Sequence, residues 1–216
     1  MLARLFGGHH EFRVSYLLEK YCRGNPDPFG RFNDRLAAVL DLHQGIEPAS
    51  FVDSSNLYIH MLDAVHALNP DARIIVGVRD GRDFARSAIT RGWHLRDSFD
   101  CIPPEGSAAS ARWPVMTPVE RAAWIWTSRN EIALGMLEKI PADRRMIVRI
   151  EELDEPMAGR LAVFSGHPAR DMGAIGRSVN ANFSTAFPSW KNWQPEDTAA
   201  FDSIAGGMMK RLGYRL

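Results

Sequence analysis

Apolar residues return along this chain at two spacings. In short runs they are nearly continuous and rich in β-branched side chains, as a strand covered on both faces requires; in longer stretches they recur every three or four positions, as on a helix with one buried face. The first spacing predicts strands at Phe51-Val52, within Ala72–Val78 and at Arg145–Ile150. The second predicts helices over Phe12–Tyr21, through Val14, Leu17, Leu18 and Tyr21, and from Phe32 to Gly45, through Phe32, Leu36, Val39 and Leu40. Further helices are predicted over Leu57–Leu68, from Thr117 to about Glu138, from the acidic turn Glu151-Glu152 to Phe164, and from Pro195 to Gly213. In the long one, Trp124, Ile125, Ile132 and Leu137 face the core; in the last, Phe201, Ile204, Met208 and Leu212 share one side. Met1–Phe6 is apolar enough for one more helix face, stopped by Gly7-Gly8.

Turn chemistry agrees with these boundaries. Thr117-Pro118-Val119-Glu120 pairs a capping hydroxyl with a reciprocal carboxylate and places Pro at the first helical position. GNPDPFG ends the Phe12–Tyr21 pattern, Asp53-Ser54-Ser55-Asn56 offers caps for the next helix, and Gly166 is placed to stop another. Strand, helix, strand, helix from Phe51 onward predicts an α/β fold with a parallel sheet, and 216 residues favour one domain.

Two stretches break the periodicity. Trp93–Thr117 carries Pro103-Pro104, Gly106 and Trp113-Pro114 and reads as a long loop or lid, whose Trp93, Phe99 and Trp113 either cover a ligand or anchor the loop to the core. Asp171–Trp193 is glycine- and asparagine-containing, then aromatic; it is either a source of ligand donors, among them Arg177 and Lys191, or a solvated loop pinned by Phe183, Phe187, Trp190 and Trp193.

The chemistry concentrates at Ala72–Arg91, ARIIVGVRDGRDFARSAITR. The strand runs into Asp80-Gly81, where Asp80 can cap a helix with Asp83 at its third position. Arg79 then stands at the carboxyl end of a strand, the edge of an α/β sheet at which ligands bind and helix amides attract phosphate. Asp83, Ser87 and Arg91 follow at spacings of four and share a face, while Phe84, Ala85, Ala88 and Ile89 can face the sheet. Two cations and a hydroxyl can meet there; equally, Arg79 can pair with Asp83 and Ser87 can be an ordinary surface residue.

Composition narrows the options. The 26 basic and 26 acidic residues cancel, so no global field draws the chain to nucleic acid or an anionic membrane, and any anion site is local. Only Lys20, Lys139, Lys191 and Lys210 are lysines, so the cationic chemistry is arginine, suited to forked phosphate contacts. Cys22 and Cys101 have neither paired nor metal-ligand spacing, which argues against a disulfide framework or a zinc site. With no run near the roughly 20 residues of a membrane span and no signal-peptide core, the sequence reads as soluble and cytoplasmic.

With these residues in view, the chain resembles the sulfotransferases that use 3′-phosphoadenosine 5′-phosphosulfate, including bacterial members and tyrosylprotein sulfotransferases, over most of its length. VRDGRDFARSAITR looks like the family's 3′-phosphate motif, which implies binding roles for Arg79 and Ser87, and Arg91 falls where the tyrosylprotein branch has a binding Arg. VDSSN, Val52–Asn56, is similar to a D-S-S-K segment, with Asn56 in place of Lys. RRMIVRIEEL is similar to the V-R-Y-E-D-L strand and turn, with Ile150 in place of a nucleotide-contacting Tyr. SWKNW and the final RLGY resemble the C-terminal loop and last helix, which implies that Asn182 and Lys191 approach the nucleotide.

The resemblance implies a three-layer, P-loop-like α/β domain and transfer of a sulfuryl group, without a metal, to a hydroxyl of a small-molecule, carbohydrate or peptide acceptor. The family opens with a strand and an R/K-S-G-T-T turn that bind the 5′-phosphosulfate. MLARLFGGHHEFRV is similar to the helix that follows that turn, so the resemblance implies an N-terminally incomplete domain and a missing sulfuryl site. For the base that activates the acceptor it points near Tyr16, flanked by Glu11 and Glu19; Glu19 is the expected base, and His9 and His10 are alternatives. Two other functions remain open: a kinase-like P-loop transferase, which needs a Gly-rich loop absent here, and a noncatalytic nucleotide-binding or interaction protein, which the absent turn, Asn56 and Ile150 favour.

Overall fold

In the computed structural model, which describes residues 5–10, 12–46, 51–175 and 187–216, the strongest helix start in the sequence behaves as its chemistry requires. Thr117 Oγ1 accepts from the Glu120 amide at 3.2 Å and Glu120 Oε2 accepts from the Thr117 amide at 2.8 Å, so two orphan donors are satisfied reciprocally. The helix that follows runs Pro118–Leu137. In chain order the elements are β1 (His9–His10), α1 (Val14–Leu17), α2 (Phe32–His43), β2 (Asp53–Ser54), α3 (Leu62–Leu68), β3 (Ile74–Val78), α4 (Gly81–Thr90), α5 (Ala108–Arg112), α6 (Pro118–Leu137), β4 (Arg145–Arg149), α7 (Glu155–Ser165) and α8 (Pro195–Arg211). The fold is mixed α/β with small parallel sheets. The chain divides into two units, Met1–Gly77 with Ala133–Asn180, and Val78–Ile132 with Ala181–Leu216.

In the first unit β1 and β2 pair in parallel, His9 opposite Asp53 and His10 opposite Ser54, and β3 lies beside β4. The expected Phe51-Val52 strand is therefore displaced to Asp53–Ser54: Val52 already accepts from the His9 amide at 2.8 Å, while the Phe51 ring packs among His9, Phe12 and His43. His9-His10, expected at a helix end, is a strand. The Phe12–Tyr21 helix forms as α1 continued by a π-helical turn, Leu18–Cys22, in which the adjacent Lys20 and Tyr21 both reach Asp41 Oδ2.

The inner face of α2 also differs from the reading. Phe32 and Leu40 are exposed, and the buried positions are Arg35, Ala38, Val39 and Leu42. The cause is Arg35, whose guanidinium forks onto Asp63 of α3, Nε to Oδ1 at 2.8 Å and Nη2 to Oδ2 at 2.6 Å, while Nη1 donates to the carbonyls of Phe29 and Gly30. A buried arginine with every acceptor in place turns the helix away from the face that hydrophobicity alone favours. A separate apolar cluster joins Leu5 and Phe6 to Val148 of β4, to Leu153, and to Met157, Ala158 and Leu161 of α7. Gly166 ends α7 at φ +73°.

The second unit holds α4, α5, most of α6 and α8. Its core is aromatic: Trp126 and Trp193 each pack on Phe201, and Phe187 packs edge-on against Trp193. Leu212, expected on the buried side of α8, is half-buried beyond the helix end, and Ala205, Gly206 and Met209 join Phe201 and Met208 inside. The expected loop Trp93–Thr117 contains α5, capped by Ser107, between two single 3-10 turns, Trp93–Leu95 and Trp113–Val115. Alanine and serine carry no helical stripe, so periodicity does not show α5; the Ser107 cap does.

Gly81, the first residue of α4, lies against this aromatic core. A Cβ there would stand 2.8 Å from Phe201 Cζ and 2.9 Å from Trp126 Cδ2. Both rings are buried, so neither moves freely. Gly81→Ala is expected to destabilise the protein by about 1–3 kcal/mol through overpacking, read as a lowered thermal midpoint; an unchanged midpoint would refute this packing account.

Candidate functional site

Arg79 follows the last residue of β3 and precedes α4, as expected. Its main chain is fixed, because Trp126 Nε1 donates to the Arg79 carbonyl at 3.1 Å. Its side chain is exposed, and no described residue hydrogen-bonds or ion-pairs with the guanidinium. The alternative in which Arg79 pairs with Asp83 is therefore not formed. Ser87, half-buried two turns along α4, has no described partner on its hydroxyl. Arg91 is the residue just past α4, exposed, and its amide donates to the Ser87 carbonyl at 3.2 Å, which ties the two positions together at the helix end.

Asp80 caps α4, as expected, and Arg82 adds to the cap. Asp80 accepts from the Arg82 amide at 2.9 Å, and the Arg82 side chain turns back onto the same carboxylate, Nε to Oδ1 at 3.0 Å and Nη2 to Oδ2 at 2.7 Å. Arg82 thereby meets the cap with its side chain as well as its backbone. The hydrogen bond that Arg82 donates to Asp80 raises the Arg82 pKa further still. The backbone donors expected beside Arg79 are accordingly partly spent on an internal carboxylate. That leaves the side chains as the means of holding an anion.

A second consequence of this cap reaches the C-terminal loop. The Arg82 guanidinium lies 4.0 Å from the Trp190 ring centroid, and Arg86 Nε donates to the Phe187 carbonyl at 3.4 Å. Two arginines of α4 thereby seat Phe187–Trp193 on the helix that carries Ser87, with the exposed Lys191 in that segment, 5.9 Å from the Trp190 ring. Asn182 and Arg177 lie outside the described residues. Removing the seat with Trp190→Ala is expected to expose the Phe187–Trp193 segment to limited proteolysis while leaving the Asp80 cap intact; protection equal to wild type would contradict it.

The segment after α4 is anchored at several points. Trp93 packs edge-on against Phe84, and Arg129 of α6 lies over Trp93 and ion-pairs with Asp100, which Ser98 also bonds. Trp113 packs on Trp124 and is covered by Arg121, whose guanidinium donates to the carbonyls of His94, Trp113 and Pro114. Trp93 and Trp113 therefore anchor the segment, the simpler of their two readings. Burial and the Arg121 charge push the His94 pKa below its ordinary value, a backbone bond to Ala88 opposing them.

Glu19 belongs to the first unit, where its carboxylate is committed to an ion pair with Arg23 at 2.6 Å on an exposed face. Tyr16 accepts from Lys20, and His10 Nδ1 lies 3.1 Å from the Ser54 carbonyl. Glu11 lies outside the described residues. Asn56 opens the 3-10 turn Asn56–His60 and is exposed, and Ile150 is half-buried in the turn after β4. The sequence reading missed a polar cluster here: the hydroxyl of the half-buried Tyr58 meets His43 Nε2 at 3.1 Å, and Asp53 keeps one buried carboxylate oxygen unpaired. Burial and the Asp53 charge push the Tyr58 pKa far above its ordinary value, so it remains a phenol. The signal was the run Asp53–Tyr58, read only for its caps.

Searches against protein-family models, curated proteins and solved structures find no match. Among the described residues no group of three or more His, Cys, Asp or Glu is placed to hold a metal ion. No described helix is long and apolar enough to cross a membrane.

Proposed function

We propose that the protein is a sulfotransferase that moves a sulfuryl group from 3′-phosphoadenosine 5′-phosphosulfate to a hydroxyl of a small-molecule, carbohydrate or peptide acceptor, on a three-layer, P-loop-like α/β fold. One observation carries the reading: Arg79 is exposed at the end of β3 on a backbone fixed by Trp126, and α4 behind it ends in Ser87 and Arg91 joined by a backbone hydrogen bond. An exposed arginine without a described counterion, a hydroxyl and a second arginine suit a phosphate dianion. In this proposal Arg79 and Ser87 hold the 3′-phosphate, Arg91 supports them, and Lys191 and Asn182 reach the nucleotide from the C-terminal loop. Seating of that loop by Arg82 and Arg86 supports the role of Lys191. Sulfuryl transfer asks the protein for alignment, cations and a base, not for covalent chemistry of its own.

Calorimetry with adenosine 3′,5′-bisphosphate tests the reading. The bisphosphate binds, and adenosine 5′-monophosphate, which lacks the 3′-phosphate, binds at least about tenfold more weakly. Absence of bisphosphate binding rejects it. A noncatalytic nucleotide-binding protein is the second reading, favoured by Asn56 and Ile150, which bring neither a cation nor a phenol to the positions they occupy. Binding without any transfer selects that alternative.

A further inference from the structure

Leu95 and Val115 are 71% and 82% exposed, and each is the third residue of a 3-10 turn that opens on a tryptophan, Trp93–Leu95 and Trp113–Val115. The turn itself explains the exposure. With three residues per turn, the third side chain of a 3-10 helix points about 120° away from the first. Trp93 packs against Phe84 and Trp113 against Trp124, which sends Leu95 and Val115 outward.

One arginine ties the two turns together. Arg121 of α6 donates to the His94 carbonyl at 3.5 Å and to the Pro114 carbonyl at 3.4 Å, and these carbonyls lead directly into Leu95 and Val115. A single guanidinium thus holds both exposed residues at one place on the surface. A lone exposed leucine or valine needs no explanation, but two fixed on one clamp make a feature. Each tryptophan also carries an arginine over its ring, Arg96 over Trp93 at 5.5 Å and Arg121 over Trp113 at 5.1 Å.

The charge around the pair selects what covers it. Arg96 follows Leu95 and is exposed, Arg91 is exposed just ahead of the same turn, and Arg112, immediately before the second turn, keeps 62% of its side-chain surface. Of the carboxylates on these elements, Glu120 is spent on the Thr117 amide and Arg112, and Asp100 on Arg129. Glu105 precedes the Ser107 cap, at the end of α5 away from Arg112, so Asp97 is the exposed acid beside the pair. Apolar tips, half-buried tryptophans and an excess of exposed arginine are the three kinds of group that a bilayer interface takes, in its acyl boundary, its headgroup belt and its lipid phosphates. We infer that this turn-helix-turn face docks on an anionic lipid bilayer, with Leu95 and Val115 entering the acyl boundary and Arg96 and Arg112 meeting the headgroup phosphates. The cations are local, so the balanced total charge of the chain does not oppose it.

Cosedimentation of the full chain with lipid vesicles tests the inference. Vesicles of phosphatidylcholine containing one-third phosphatidylserine are expected to carry the protein down, and pure phosphatidylcholine vesicles to bind it at least about tenfold more weakly. Leu95→Ser with Val115→Ser is expected to weaken binding to the mixed vesicles at least about tenfold. Arg96→Gln with Arg112→Gln is expected to weaken it about 30-fold, two charges at about fivefold each. No binding of wild type to the mixed vesicles overturns the proposal, and so does equal binding to both vesicle types or undiminished binding by the serine variant. A second copy of the chain as the occupant would show as a lipid-free dimer in sedimentation velocity that the serine variant dissolves, and that result overturns it too. Bisphosphate calorimetry reads Arg79, Ser87 and Arg91 instead, so either inference can fail without the other.

Discussion

Arg35→Ala is expected to lower the unfolding free energy by about 3–5 kcal/mol in urea, followed by far-ultraviolet circular dichroism. Arg35 and Asp63 keep only 8% and 11% of their side-chain surface, and their fork is completed by two backbone carbonyls. Truncation leaves a buried carboxylate with only Lys139 and the Ala64 amide as partners, and takes the Arg35 donor from two carbonyls. Replacing both partners, Arg35→Met with Asp63→Leu, is expected to recover most of the loss, because the pair costs desolvation as well as giving attraction. A loss below about 1 kcal/mol for Arg35→Ala would mean that the pair is not sealed from water. The same pair sets an acid response. Burial raises the Asp63 pKa, but hydrogen bonds from Arg35 and Lys139 outweigh it and leave the folded value below the ordinary one. A depressed carboxylate stabilises the fold above its unfolded pKa of about 3.9, and the contribution is lost as pH falls from there through the folded value.

Arg79→Ala is expected to weaken adenosine 3′,5′-bisphosphate binding at least about 30-fold, the equivalent of about 2 kcal/mol for deleting one partner of a charge-assisted contact. The thermal midpoint should hardly change, since what secures this position is its carbonyl on Trp126, which alanine keeps. Arg79→Lys is expected to recover part of the affinity, as a point charge without the fork. Wild-type affinity in Arg79→Ala would remove the observation on which the proposed function rests.

The elements whose signals are local were legible in the sequence. Thr117 and Glu120 form the reciprocal cap that their spacing implies, β3 and α4 fall within the Ala72–Arg91 pattern, and Gly166 and Gly213 stop their helices at positive φ. What was not legible depends on partners distant in sequence. Arg35 reads as a surface residue until Asp63, 28 positions on, receives it. The α4 cap was placed correctly on Asp80, but the side chain of the neighbouring Arg82 also closes onto it, which spacing rules do not flag. The same limit applies to the site: Arg79, Ser87 and Arg91 form a pattern, whereas the contacts of Arg82 with Trp190 and of Arg86 with Phe187, which seat the C-terminal loop, are seen only in the structure.

All six tryptophans, Trp93, Trp113, Trp124, Trp126, Trp190 and Trp193, belong to the second unit, whose core they help to build. Of the four tyrosines, Tyr16, Tyr21 and Tyr58 belong to the first. Intrinsic fluorescence excited near 295 nm therefore follows the half of the chain that bears Arg79 and Ser87. A loss of structure confined to the half stapled by Arg35 and Asp63 would leave that emission in place, and the protein carries its own two-colour label.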